Sequence, residues 1–61
     1  MKENGKTNRF AVGNRVAEDG IQYAVVDLRQ DCEGRWLYDI REVNGDGERL
    51  DVPEGRLAKS V

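Results

Sequence analysis

Apolar residues in this chain fall into short runs, cut by turn-forming residues at close intervals. The breaks are Gly13-Asn14, Glu18-Asp19-Gly20, Asp31 to Gly34, Asn44 to Gly47 and Pro53 to Gly55. The runs between them are rich in Val, Ile, Leu, Tyr and Trp, and none sustains an apolar period near 3.6. Short β-favouring runs between regular turns predict an all-β fold, here a single small five-stranded antiparallel barrel. The expected strands are Asn14–Ala17, Ile21–Arg29, Arg35–Val43, Glu48–Val52 and Arg56–Ser60.

Strand register follows from parity. Opposed residues of an antiparallel pair share a face, and a slip of one residue inverts both faces. Folding the second and third strands about Gln30–Gly34 sets Leu28 against Trp36, Val26 against Tyr38 and Ala24 against Ile40, all apolar. The other face is mixed, with Tyr23 opposite Arg41 as a candidate cation–π pair. For the next hairpin, two-residue turns would oppose Ile40 to Arg49 or to Asp51. A three-residue connection at Asn44–Asp46 opposes it to Leu50 instead, and predicts a bulged turn with a glycine at positive φ. Asp39 then meets Asp51 on the outer face, with diagonals Asp39–Arg49 and Arg41–Asp51. The predicted inward set is Ala24, Val26, Leu28, Trp36, Tyr38, Ile40, Leu50 and Val52, closed by Val16 and Leu57. Pro53 ends the fourth strand, and a single tight helical turn suits Pro53–Gly55.

Length and charge refine this. Sixty-one residues allow one domain with a compact core. Residues 1–9 carry no apolar side chain after Met1 and read as a disordered tail, leaving 10–61 as the barrel domain. The net charge is −2, from ten basic and twelve acidic residues. The tail holds Lys2, Lys6 and Arg9 against Glu3, so residues 10–61 carry seven basic and eleven acidic side chains. An acidic surface repels phosphate and disfavours general nucleic-acid binding. Cys32 is the single cysteine, which forbids an intrachain disulfide and favours a cytoplasmic setting. No stretch is apolar enough for a membrane span or signal peptide.

Two segments carry a family resemblance. Val12-Gly13-Asn14-Arg15-Val16, Asp19-Gly20 and Gln22-Tyr23-Ala24-Val25-Val26 resemble the opening of Tudor and Agenet domains. Val52-Pro53-Glu54-Gly55-Arg56-Leu57 is similar to the Val-Pro-x-x-x-Leu closure of those barrels. The resemblance spans about Phe10 to Lys59 and implies a Tudor-like barrel of the Src-homology-3 type. Tudor domains hold methylated side chains in an aromatic cage. By position only Tyr23 matches a cage aromatic, while Ala17, Arg41 and Val43 stand where the family has others. The opening is also similar to that of the plasmid-borne, trimethoprim-resistant dihydrofolate reductase. That enzyme's active Val-Gln-Ile-Tyr run corresponds here to Leu50-Asp51-Val52-Pro53, so no activity is implied.

The chemistry points away from catalysis. The chain has no histidine, no serine in an activated setting and no carboxylate pair marked for a tuned pKa. No cofactor motif is present, and Asn44 to Glu48 lacks the further ligands of a calcium loop. The expected function is therefore a non-enzymatic module binding a protein or peptide through one barrel face. Its expected contact residues are Tyr23, Trp36 and Arg41, with an acidic rim of Glu18, Asp19, Asp31 and Glu33 gathered at one barrel end. Two alternatives remain. One is a homo-oligomer using the sheet edge or Val25, Leu37 and Val43. The other is a weak nucleic-acid binder using Arg29, Arg35, Arg41 and Arg49.

Overall fold

The computed structural model describes residues 10–60, so the tail reading for residues 1–9 lies outside the described residues. The strands are β1 (Arg15–Glu18), β2 (Ile21–Gln30), β3 (Trp36–Glu42), β4 (Glu48–Pro53) and β5 (Ala58–Lys59). A single 3-10 turn, Glu54–Arg56, separates β4 from β5. All ladders are antiparallel, in the order β4-β3-β2-β1-β5. The fold is thus all-β with almost no helix, as expected. The sheet is open at β4 and β5, and no ladder joins these edges among the described residues. No described helix is long and apolar enough to cross a membrane.

The β1–β2 hairpin follows its turn chemistry. Glu18 opposes Ile21 across Asp19 and Gly20, whose φ values are 53° and 80°. Two successive positive-φ residues give the turn twist that matches the strands, and Asp-Gly tolerates it best. The β2–β3 register is shifted by two residues from that expected, with Gln30 opposite Trp36 and Leu28 opposite Tyr38. A slip of two preserves the faces, so Leu28 and Tyr38 still share the core side.

The expectation fails further along β2. Val25 pairs with Ile40 but Asp27 pairs with Asp39, which leaves Val26 as an extra residue in a bulge. The bulge inverts the faces of the first half of the strand. Tyr23 and Val25, expected outside, are buried at 2% and 1% exposure, while Val26 is 40% exposed and Ala24 leaves the core. Parity counted from the loop could not see this, because Val25-Val26 reads as apolar in either register.

A second bulge corrects β4. Tyr38 faces Val52 as predicted, but Ile40 faces Arg49, and Leu50 is 64% exposed. The extra residue lies within the strand, where Asp51 takes φ +56°. The Asn44–Asp46 turn holds no positive-φ glycine; Gly45 and Gly47 instead admit the Glu42 carboxylate, which a Cβ at either position would overlap. Arg49 is tolerated opposite Ile40 because β4 is an edge strand. Its stem crosses the core margin and its Nε donates to the Tyr23 hydroxyl at 3.3 Å.

Both bulges fall opposite the same β3 residue, Asp39, and one polar cluster holds them. Asp39 accepts the Asp51 N–H at 3.0 Å and a two-pronged contact from Arg29 at 3.1 and 2.5 Å. Arg29 also binds the Asp51 carboxylate and lies 3.7 Å from Asp27. The outward Asp39–Asp51 meeting therefore occurs, but Arg29 neutralises it. The predicted diagonals do not form, and Arg41 lies 3.7 Å from Glu48 instead. The Arg29 hydrogen bond, then the Asp51 N–H, hold the Asp39 carboxyl below its ordinary pKa against the cost of burial.

The core comprises Phe10, Val16, Tyr23, Val25, Tyr38, Ile40, Val52 and Leu57, with Leu28 and Trp36 packed against it. Two predictions follow from the bulges. Val25→Ala should cost about 2 kcal/mol in urea unfolding and Val26→Ala under about 0.5 kcal/mol, since only Val25 is buried; equal losses would refute the inverted face. Asp39 has a lowered folded pKa, so its contribution is complete above the unfolded carboxyl value near about 4 and fades as pH falls through the folded value. Asp39→Asn should remove part of the acid-induced fall in stability, measured by urea unfolding between neutral and strongly acid pH.

Candidate functional site

A groove of about 610 Å³ opens between the β2–β3 loop and the segment after β4. Its floor comes from Trp36 and Leu37 at the start of β3, and Leu37 pairs directly with Pro53. Pro53 begins the opposite wall with φ −63°, the value its ring imposes, and the chain then enters the 3-10 turn. Trp36 is half-buried, packing on the core while its remaining surface lines the groove.

The loop wall is held by hydrogen bonds to one carboxylate. Asp31 Oδ1 accepts the N–H groups of Glu33 and Arg35 at 2.8 and 2.9 Å, and Oδ2 accepts Arg35 Nε at 2.9 Å. Gly34 closes the loop at φ +83°, donating to Asp31 O. The Arg35 N–H leads in holding the Asp31 carboxyl below its ordinary pKa, with Glu33 N–H and the guanidinium assisting. Asp31 is therefore spent on the loop. Glu33 lies 3.1 Å from the Arg35 guanidinium and stays exposed at the rim.

The far wall is tied to the core. Tyr38, fully buried, donates its hydroxyl proton to Glu54 Oε2 at 2.7 Å and accepts the Phe10 N–H at 3.3 Å. The Phe10 ring meets Tyr38 edge-on at 5.6 Å. Asp31, Glu33 and Glu54 against Arg35 leave the groove lining acidic.

The expected contact residues divide. Trp36, Asp31 and Glu33 meet at this groove. Glu18 and Asp19 lie at the other end of the ten-residue β2, so the single acidic rim is not formed. Hairpin turns at the two ends of one strand cannot share an end of the sheet. Glu18 is also no surface tip: its side chain is 5% exposed, 3.2 Å from Arg56 Nε and 3.5 Å from Arg49 Nε. It ties β1 to the opposite edge of the sheet. Tyr23 is in the core and bonded by Arg49, so neither the outer-face contact nor the Tyr23–Arg41 pair exists. Val25 is buried too and cannot serve a subunit interface. Pro53 and Glu54 were not predicted as site residues. Their signal was the Pro-x-Gly break directly after an apolar strand, which marks a turn but not what the turn faces.

Comparison with family models, curated proteins and solved structures yields no match to this chain.

Asp31→Ala should accelerate amide hydrogen exchange at Glu33 and Arg35 while leaving the core amides of Tyr38 and Ile40 protected. Uniform acceleration would show that Asp31 supports the whole fold rather than the groove wall.

Proposed function

We propose that this chain is a Tudor-like small barrel acting as a non-enzymatic module that binds a basic, extended peptide segment in the Trp36 groove. The observation carrying this reading is the apolar surface of Trp36, Leu37 and Pro53 in a groove whose remaining lining is acidic. An aromatic face with acidic neighbours attracts guanidinium and ammonium groups, and the aliphatic stems of Arg and Lys cover apolar floor. The Tudor-like part rests on five antiparallel strands, the opening and closing motifs, and the 3-10 turn after Pro53. The aromatic cage does not enter, since Tyr23 is buried. A cytoplasmic setting accords with Cys32, a free and exposed thiol.

The nucleic-acid alternative is weaker because its four arginines are engaged. Arg29 binds Asp39 and Asp51, Arg35 binds Asp31 and Glu33, and Arg41 and Arg49 lie against Glu48 and Glu18. Neutralised arginines release few counterions on meeting phosphate.

NMR titration with lysine- and arginine-bearing peptides at low salt should shift Gly34, Leu37, Gly55 and the Trp36 indole, and leave Asp19 and Gly20 unmoved. Glu33→Lys should weaken the effect. Shifts confined to the Asp19–Gly20 end, or none with any basic peptide, would refute the reading.

A further inference from the structure

A second cleft, of about 300 Å³, follows the side of the sheet that stays open. Five consecutive residues of β4, Arg49 to Pro53, line one wall, so the free edge of that strand borders the cleft. Glu18 of β1 and Arg56 of the 3-10 turn line the rest, and only Pro53 is shared with the Trp36 groove. Glu18 is a buried carboxylate, its side chain 5% exposed, and its Oε1 has no hydrogen-bond donor among the described residues. Arg49 Nε stays 3.5 Å from Oε1, and Arg56 Nε lies 3.2 Å from Oε2. A buried acceptor without a donor is destabilising, and folded proteins hold few of them. Charge is out of balance as well. Two guanidiniums face one carboxylate, because Asp51 is held by Arg29. Both arginine side chains are more than half exposed, and their closest approach to Glu18 is through Nε rather than the terminal nitrogens.

We infer that this cleft binds the free C-terminus of an extended peptide. A terminal carboxylate takes paired N–H donors, and the terminal nitrogens of Arg49 and Arg56 offer them in the planar fork that suits it. The N–H of the same last residue, one Cα away from the carboxylate, donates to Glu18 Oε1. The site thus asks for an anion beside an N–H donor, and a peptide backbone presents that pair only at its C-terminal end. An inorganic anion would meet the arginines alone, with the Glu18 carboxylate against it. Arg49 gives up Glu18 at small cost, since 3.5 Å is already long for a hydrogen bond. The preceding residues of the peptide add to the free edge of β4. That pairing is short, because the bulge with Asp51 at positive φ interrupts the edge. Leu50, exposed and part of the lining, favours an apolar last side chain. The volume is at the small end for ligand pockets, which fits a chain end. Salt weakens the contact by screening the two exposed arginines.

Three acetylated peptides ending in Val-Leu, with no charged side chain, test this. One has a free terminal carboxylate, one a terminal amide, and one a free carboxylate with its last amide nitrogen methylated. Titrated into the full chain and followed by NMR, the first should shift the Glu18, Leu50 and Arg56 amides and the Nε–H signals of Arg49 and Arg56, leaving Gly34 and Asn44 in place. Either altered peptide should bind roughly tenfold more weakly, the loss expected when a charge-assisted hydrogen bond goes. Arg56→Gln should weaken the first peptide to a similar extent. Arg56 is exposed, so the variant keeps its fold, checked by unmoved Tyr38 and Ile40 amides. Equal binding of the free acid and its amide would overturn the carboxylate clamp. Equal binding of the methylated peptide would remove Glu18 from the site and overturn the inference with it. Acetate or inorganic phosphate reproducing the shifts at the same concentration would reduce the cleft to a general anion site, which also overturns it. Shifts confined to Gly34, Leu37 and Gly55 would belong to the Trp36 groove, overturning this site while leaving that reading intact.

Discussion

At Asp39 both neighbouring strands carry one residue more than β3 does. Val26 is the extra residue on β2, and the Leu50-Asp51 step is the extra one on β4. Each bulge leaves a ladder position unpaired and sharpens the local twist. The Asp39 carboxylate takes the Asp51 N–H, and Arg29 clamps Asp39 and Asp51 together. Without that clamp, two carboxylates would face each other beside a left-handed aspartate, an arrangement no sheet holds on backbone bonds alone. The bend it fixes turns Tyr23 and Val25 toward Ile40, and so determines which side of the sheet carries the core.

The open sheet then needs its edges held by other means. β5 contributes only two residues to the β1 ladder, and β4 has one neighbour. Side chains supply the missing links. Glu18 reaches from β1 to Arg49 and Arg56, and Arg49 reaches Tyr23. Tyr38 reaches Glu54 beyond the end of β4 and accepts Phe10 from the start of the described chain. A chain this short has little apolar surface to bury, so charged and aromatic hydroxyl groups at the core margin serve both stability and closure.

The groove is a by-product of the same closure. Once the β2–β3 loop is locked by Asp31 and Pro53 turns the chain away from β4, Trp36 and Leu37 lie between the two groove walls. Its acidity comes from residues with structural duties: Asp31 organises the loop and Glu54 receives the Tyr38 hydroxyl. The site thus borrows its field from the scaffold.

The five strands, their approximate limits, the antiparallel β2–β3 and β3–β4 pairings and the tight turn after Pro53 were legible in the sequence, because alternation and turn residues act over a few positions. The Tyr38–Val52 pair, the inward side of Leu28 and the place of Ile40 were legible too, since parity survives a slip of two. The bulges were not. An extra residue in β2 inverts a face, yet Val25-Val26 is apolar in both registers, and Asp51 at positive φ carries no local mark. Only the contacts around Asp39 choose between them. The groove was half legible: Trp36, Asp31 and Glu33 stand close together in the chain, whereas Pro53 and Glu54 join them only when β4 pairs with β3. Burial of Glu18 likewise depended on arginines more than thirty residues away in the folded sheet. Short-range chemistry was thus written in the chain, while the side of the sheet on which each residue lies was decided by long-range pairing.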